Sequence, residues 1–325
     1  MTGQSISSVA APNRAFHRIL GSIKQLPSPS EVCLAVTRAT EAQHTTLADL
    51  QSLVESDIAL SGRLMQVANS SFFGVREQVT SVRRAISLLG FATVRTLALG
   101  FFFNEEFGKL RLPGLPYPDL PRFALASSVL AESIAHEQDP DRKAEAACLG
   151  LLHESGVIIM AMTFGSHYRQ MLKLGTSTSA ELAGLEQRTF GLSHPLAGQL
   201  LFESWRLGPD LASAVANHHR LEGESELPAS CVPLWKILLL ANSLALPLLR
   251  PQPVVVAEAP AGEAAPGLQE QTGLAQRLFA WPIEKVDQVM KMAARMYHER
   301  LAILGQHPAS ADETDVAPAD GLCDP

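Results

Sequence analysis

LGLLHESG, residues 149–156, closes an apolar run, Ala146 to Leu152, with an imidazole and a carboxylate side by side and Gly156 just behind. A run this apolar is built for burial. A buried His-Glu pair must then be compensated by hydrogen bonds or by charge. Two answers are open: a metal site, or the remnant of one.

Helical signals surround this stretch. Val32, Ala35, Val36 and Ala39 share one face at helical spacing. Thr46 and Asp49 form a Thr-x-x-Asp capping box. Asp57 occupies an N-cap position before Ile58, Leu60, Leu64, Val67 and Ala68, which are read as one apolar side, and Gly74 follows the stop. Gly90 ends a further short helix as its C-cap. These capped helices in series predict a helical lobe over residues 13–110, after a flexible N-terminus, 1–12.

RLPGLPYPDLP, residues 111–121, has four prolines and a glycine and reads as the link to a second lobe, 122–249. That lobe is predicted to hold helices over 143–163, 165–174, 179–190, 194–206, 209–220 and 234–249, with Ser193 as an N-cap and Pro195 in the first turn. Residues 250–267 are rich in Pro, Ala and Gly and read as a loop. Helices over 268–304 follow, then an acidic tail, 305–325, with no periodic apolar face. PVVVA, 253–257, is the sole strand candidate.

The chain has 325 residues, 46% hydrophobic and 18% charged, and a formal charge of −7. It can bury a large core, and its charge gives no support for nucleic-acid binding. No segment reads as a membrane span: the run at 234–249 is interrupted by Lys236, Asn242 and Ser243. No signal peptide is apparent. The four cysteines, Cys33, Cys148, Cys231 and Cys323, form no CxxC pair, so a reducing cytoplasm is the expected compartment. GxxxxGK[ST], GxGxxG and GxSxG are absent, and Val157 and Ile158 stand where an HExxH helix would bring its second histidine.

Polar groups recur in order across the second lobe: His153-Glu154, His194, His218-His219 and Asn242. Imidazole and carboxylate suit Mn, Fe, Zn or Ni, and facing helices can converge them. For any one of these positions, a hydrogen-bonded core histidine is the plain alternative. Phe101, Phe102, Phe103 and Phe107 on one helix, and Trp205, read as core. Asn69, Ser70 and Ser71, with Phe72 and Phe73, read as a helix end and its anchors.

LGLLHESG resembles the GLLHDIG segment of the HD superfamily of metal-dependent phosphohydrolases. DIALSGRLMQVANSSFFG followed by SVRRAISLLG, with EQRTFGLSHPLAGQLLFESWRLGPDLASAVANHH, resembles its HDOD branch. The likeness spans residues 20–249. It implies an all-α fold of two packed helical lobes, the second an HD-like bundle. Carried over residue by residue, His153 and Glu154 match the His-Asp pair, and His194 and His218-His219 match the additional histidines of binuclear members. Two positions depart: Phe123 falls where an early histidine would stand, and Asn242 replaces a late Asp.

The resemblance therefore implies a degenerate site and a non-catalytic signalling module that acts through a protein partner. Its metal candidates, His153, Glu154, His194, His218, His219 and Asn242, are vestigial. No cofactor is expected, with Mn, Fe, Ni or Zn as the open alternative. The rival readings are a phosphohydrolase of nucleotides or cyclic dinucleotides, and a nucleotide sensor that binds without cleavage. Arg83 and Arg84, on a lobe that catalytic HD enzymes lack, are the candidate partner-binding positions.

Overall fold

The computed structural model describes residues 10–25, five positions between 32 and 39, and residues 44–69, 78–107, 112–117, 119–249 and 268–303. The 250–267 loop with PVVVA, the 305–325 tail with Cys323, the stretch Ser70 to Gly74, and the side chains of Phe103 and Phe107 lie outside the described residues, as do residues 1–9. Among the described residues the chain is all-α, with no strand.

The helices, in chain order, are α1 Ala10–Gln25, α2 Leu47–Glu55, α3 Ile58–Ala68, α4 Val82–Leu89, α5 Phe91–Phe107, α6 Leu120–Gln138 and α7 Lys143–Leu152. They continue as α8 Ser155–Leu172, α9 Ser179–Phe190, α10 His194–Ser204, α11 Pro209–Ala216, α12 Val232–Leu249, α13 Leu268–Phe279 and α14 Ile283–Ile303. Local chemistry sets many of the ends. Thr46 and Asp49 cap α2 reciprocally, and Asp57, Ser81, Asp119 and Thr178 each accept a backbone N–H at the start of α3, α4, α6 and α9. Gly90 ends α4 at φ 78° and Gly191 ends α9 at φ 75°, where a side chain would be strained.

In the first lobe α4 and α5 follow α2 and α3, and Asn69 closes the end of α3. Its amide donates to Met65 O and Val79 O, both at 2.9 Å, and accepts from Val79 N at 2.7 Å. This hydrogen-bonded clamp gives Asn69 the structural role that the helix-end reading expected. Ile58 corrects the predicted apolar side of α3: it is 89% exposed. Leu60, Leu64, Val67 and Ala68 follow one stripe, whereas Ile58 precedes Leu60 by two residues, about 200° around the helix.

In the second lobe α6 is the central helix. Nearly all its residues from Leu120 to Ala135 are buried, because α7, α12 and α14 all pack against it. Gly150 lets α7 approach it closely, since a Cβ there would lie 2.5 Å from Ser127 O. The lobes meet where Phe102 of α5 packs edge-on to Trp205, ring centroids 5.8 Å apart. α1, which the sequence grouped with the first lobe, lies on α8 and α10. Arg18 donates to Thr163 O at 2.7 Å and sits over the Phe164 ring.

Three predicted helices change shape. The helix expected over 143–163 breaks at His153-Glu154, and α8 then runs on to Leu172 with a kink at Gly165, φ 52° and ψ −121°. α11 stops at Ala216, which leaves His218 and His219 in the turn beyond it. Among the described residues two stretches, Pro140–Leu172 and Val232–Leu249, are long and apolar enough by length and composition to cross a membrane, which corrects the expectation that none is. Here their apolar side chains are largely core: the first is broken at its His-Glu pair, and the second packs on α6 and α7.

Candidate functional site

The break between α7 and α8 is what presents His153 and Glu154. His153 caps α7, its N–H still bonded to Leu149 O, and Glu154 begins the approach to α8. Gly156 follows at the crossing with α10. A Cβ there would lie 1.9 Å from His194 O and 2.8 Å from Gly198 N, so only glycine brings these backbones together. That crossing sets His194 against Glu154.

Glu154 is the hub. Its Oε2 lies 3.3 Å from His194 Nε2 and accepts from Tyr117 OH at 3.4 Å, and its Oε1 accepts from Ser179 Oγ at 2.6 Å. His153 Nε2 and His218 Nε2 stand 3.8 and 3.9 Å from Oε1. His194 Nε2 lies 2.9 Å from His219 Nε2. Donor atoms of Glu154, His194, His218 and His219 all fall within 4.8 Å of one another. Asn242 of α12 interacts with His153, and the Phe123 ring, stacked on Tyr117 at 4.4 Å, lies 6.0 Å from that imidazole. The six candidates that span some ninety residues of sequence thus surround one buried cluster.

The hydrogen bonds fix the ring orientations. Carbonyl oxygens only accept, so His153 Nδ1 carries the proton it donates to Gly150 O at 2.8 Å, and His218 Nδ1 the one it donates to Val215 O at 2.5 Å. Both Nε2 atoms therefore face the cluster as lone pairs when the rings are neutral. Both are buried without a hydrogen-bond partner among the described residues. Burial, reinforced by the neighbouring histidines, holds His218 and His219 well below the ordinary imidazole pKa. Burial also lowers His153, against the pull of Glu154. His194 is the opposite case: burial pulls it down, but Glu186 and then Glu154 outweigh this and raise it.

Residues that sequence reasoning missed complete the cluster. Glu186 of α9 is fully buried, and its Oε2 accepts from the His194 backbone N at 2.6 Å and from His194 Nδ1 at 2.7 Å. Tyr168 donates to Glu186 Oε1 at 2.5 Å. Ser193 occupies the N-cap position of α10, as expected, but its hydroxyl makes no capping bond; Glu186 caps the helix instead. Two sequence signals could have pointed to Glu186: it opens the stretch EQRTFGLSH that carries the family likeness, and the Gly191 turn folds α9 back on α10.

The family model for the HDOD domain matches residues 26–221, more than half of the chain. The chain belongs to the HDOD family. His153, Glu154, His194, His218 and His219 all lie inside the matched HDOD segment, and Asn242 lies beyond it. Solved structures share the fold. An HDOD domain protein of unknown function from Geobacter sulfurreducens aligns at TM-score 0.64 and 17% identity, over 89% of this chain and 98% of its own. A provisionally named phosphohydrolase from Shewanella amazonensis SB2B aligns at 0.63 and 18%, over 87% and 97%. A provisionally named signal transduction protein from Marinobacter aquaeolei VT8 aligns at 0.64 and 22%, over 91% of this chain but 65% of its own length. No functionally curated protein matches the chain.

Proposed function

We propose that this HDOD protein is a regulatory module whose second lobe holds one divalent cation without hydrolysing a phosphoester. The observation that carries the reading is the pair of orphaned, buried Nε2 atoms on His153 and His218, facing Glu154 beside His194 and His219. A buried polar atom left unpaired costs about 1–3 kcal/mol, and a cation relieves several at once. The Nδ1–H of His153, His194 and His218 is already spent on a carbonyl or carboxylate, the usual outer support of metal-binding histidine. The donors fit a cation, and several imidazoles with one carboxylate favour Zn, Ni, Fe or Mn over Mg or Ca.

A cation so held would neutralise Glu154 and tie α8, α10 and the turn after α11 together. What argues against turnover is the rest of the surround. The resemblance puts a histidine near Phe123 and an Asp at Asn242. Here a stacked phenyl and a neutral amide stand beside His153. A metal-bound nucleophile needs a held, activated water, and those two positions offer no charge to hold it. Purified protein supplied with Mn, Mg, Fe, Ni or Zn is expected to cleave neither nucleoside phosphates, cyclic dinucleotides nor a generic phosphodiester. Metal-dependent turnover that disappears in His153→Ala would overturn this.

The regulatory output is assigned to the first lobe. Arg83 and Arg84 are exposed on α4, next to the exposed Leu88. The double substitution Arg83→Ala, Arg84→Ala is expected to leave the thermal unfolding midpoint within a degree or two, because exposed changes cost about 0.5 kcal/mol or less. Capture of a native protein partner is expected to weaken several-fold. Unchanged capture by this variant, with loss in a folded His153→Ala, Glu154→Ala protein, would move the output to the pocket.

A further inference from the structure

Glu186 is a fully buried carboxylate that needs a reason to be there. Three donors converge on it: the Tyr168 hydroxyl at 2.5 Å on Oε1, and the His194 backbone N–H and Nδ1–H at 2.6 and 2.7 Å on Oε2. It also sits at the N-terminal end of α10, an eleven-residue helix, where the helix dipole favours negative charge. Capping alone does not require it, since Ser193 already stands at the N-cap with a hydroxyl that goes unused for that purpose.

We infer that Glu186, backed by Tyr168, is the positioning residue of the cluster. It fixes His194 in the Nδ1–H tautomer and so turns the Nε2 lone pair toward Glu154, His218 and His219. The alternative tautomer is close at hand. Glu154 Oε2, 3.3 Å from Nε2, would accept a proton placed there, and Ser179 Oγ and His219 Nε2 are further partners at 3.5 and 2.9 Å. Among the described residues Glu186 is the one partner of His194 Nδ1, so without it none competes with them. The ring would then swing its proton to Nε2 and cease to be a donor. Tyr168 holds the Glu186 carboxylate in the plane that serves both His194 N–H groups, from a ring that is itself buried and packed on Phe190.

The consequence for cation affinity rests on the proposed cation site; the tautomer assignment does not. The test is ring nitrogen NMR on the full chain, metal-free and at alkaline pH where the imidazoles are neutral, with His194 assigned through His194→Gln. Wild type is expected to show His194 protonated on Nδ1. Glu186→Ala is expected to show it on Nε2, and Glu186→Gln, whose amide oxygen can accept, to restore much of the wild-type pattern. Zn titrated against a competing chelator should bind Glu186→Ala ten- to a hundredfold more weakly than wild type, with Tyr168→Phe in between and Ser193→Ala unchanged. A wild-type His194 protonated on Nε2 overturns the inference without any variant, as does a folded Glu186→Ala with the wild-type tautomer. If the tautomer switches but wild type binds no Zn, the positioning role stands and the cation reading fails.

Discussion

Gly156→Ala is expected to destabilise the protein by on the order of 3 kcal/mol or more, lowering Tm by several degrees, and to abolish cation binding. The added Cβ would fall 1.9 Å from His194 O and 2.8 Å from Gly198 N. Both are backbone atoms, so no side chain can rotate away. The only relief is to push α10 off α8, which moves His194 from Glu154, and Gly198 is itself packed tightly on Val215, whose Cγ1 would lie only 2.7 Å from a Cβ at Gly198. Gly62, inside α3 with nothing within 4 Å of its Cβ direction, is the control. Gly62→Ala should be neutral or stabilising by up to about 1 kcal/mol. Chemical denaturation of the two variants side by side checks both. Equal stability would mean that the close approach of α8 and α10 does not exist.

Metal-free protein should lose stability steeply as pH falls below about 6.5. His153, His218 and His219 all have folded pKa values below the unfolded 6.5, so in that window the unfolded chain takes up protons that the folded chain refuses. Stability therefore falls with falling pH until the folded pKa values are passed. His194 has the opposite sign: its raised pKa contributes stability that is full below 6.5 and lost as pH rises through its folded value. Below 6.5 His194 is protonated in both states and adds no slope, so the three lowered rings act alone there, each tilting the curve by about 1.4 kcal/mol per pH unit until its folded pKa is passed. Denaturant midpoints of chelator-treated protein between pH 5 and 8 read this directly. Bound cation should steepen the dependence, since ligand rings must shed their protons. A flat or inverted profile would show that the three rings are not buried neutral.

Much of the fold was legible because caps and apolar stripes are local. Thr46 with Asp49, Asp57, Gly90 and the α9 boundaries read from the sequence are where the structure has them. Ile58 was misplaced because a terminal apolar residue belongs to no stripe by itself, and only packing decides where it points. The break at His153-Glu154 was hidden because an apolar run carries helical periodicity straight through it, while the bend is set by contact with α10. The cluster's histidines were found by their order along the chain and by the resemblance. Tyr117, Tyr168, Ser179 and Glu186 were not, since they reach the site from the 112–117 stretch, α8 and two separate turns of α9, and their spacing along the chain carries no pattern. Gly156 was visible as a residue, but the 1.9 Å approach that makes it necessary is a property of two helices.

Diffraction from crystals grown with one equivalent of Mn, recorded at two wavelengths either side of the Mn absorption edge, would test the central reading most directly. A single anomalous peak is expected in the second lobe, within ligand distance of Glu154, His194 and His218, and is expected to be lost in crystals of Glu154→Gln. No peak there, or a peak held only by exposed carboxylates elsewhere, would contradict it.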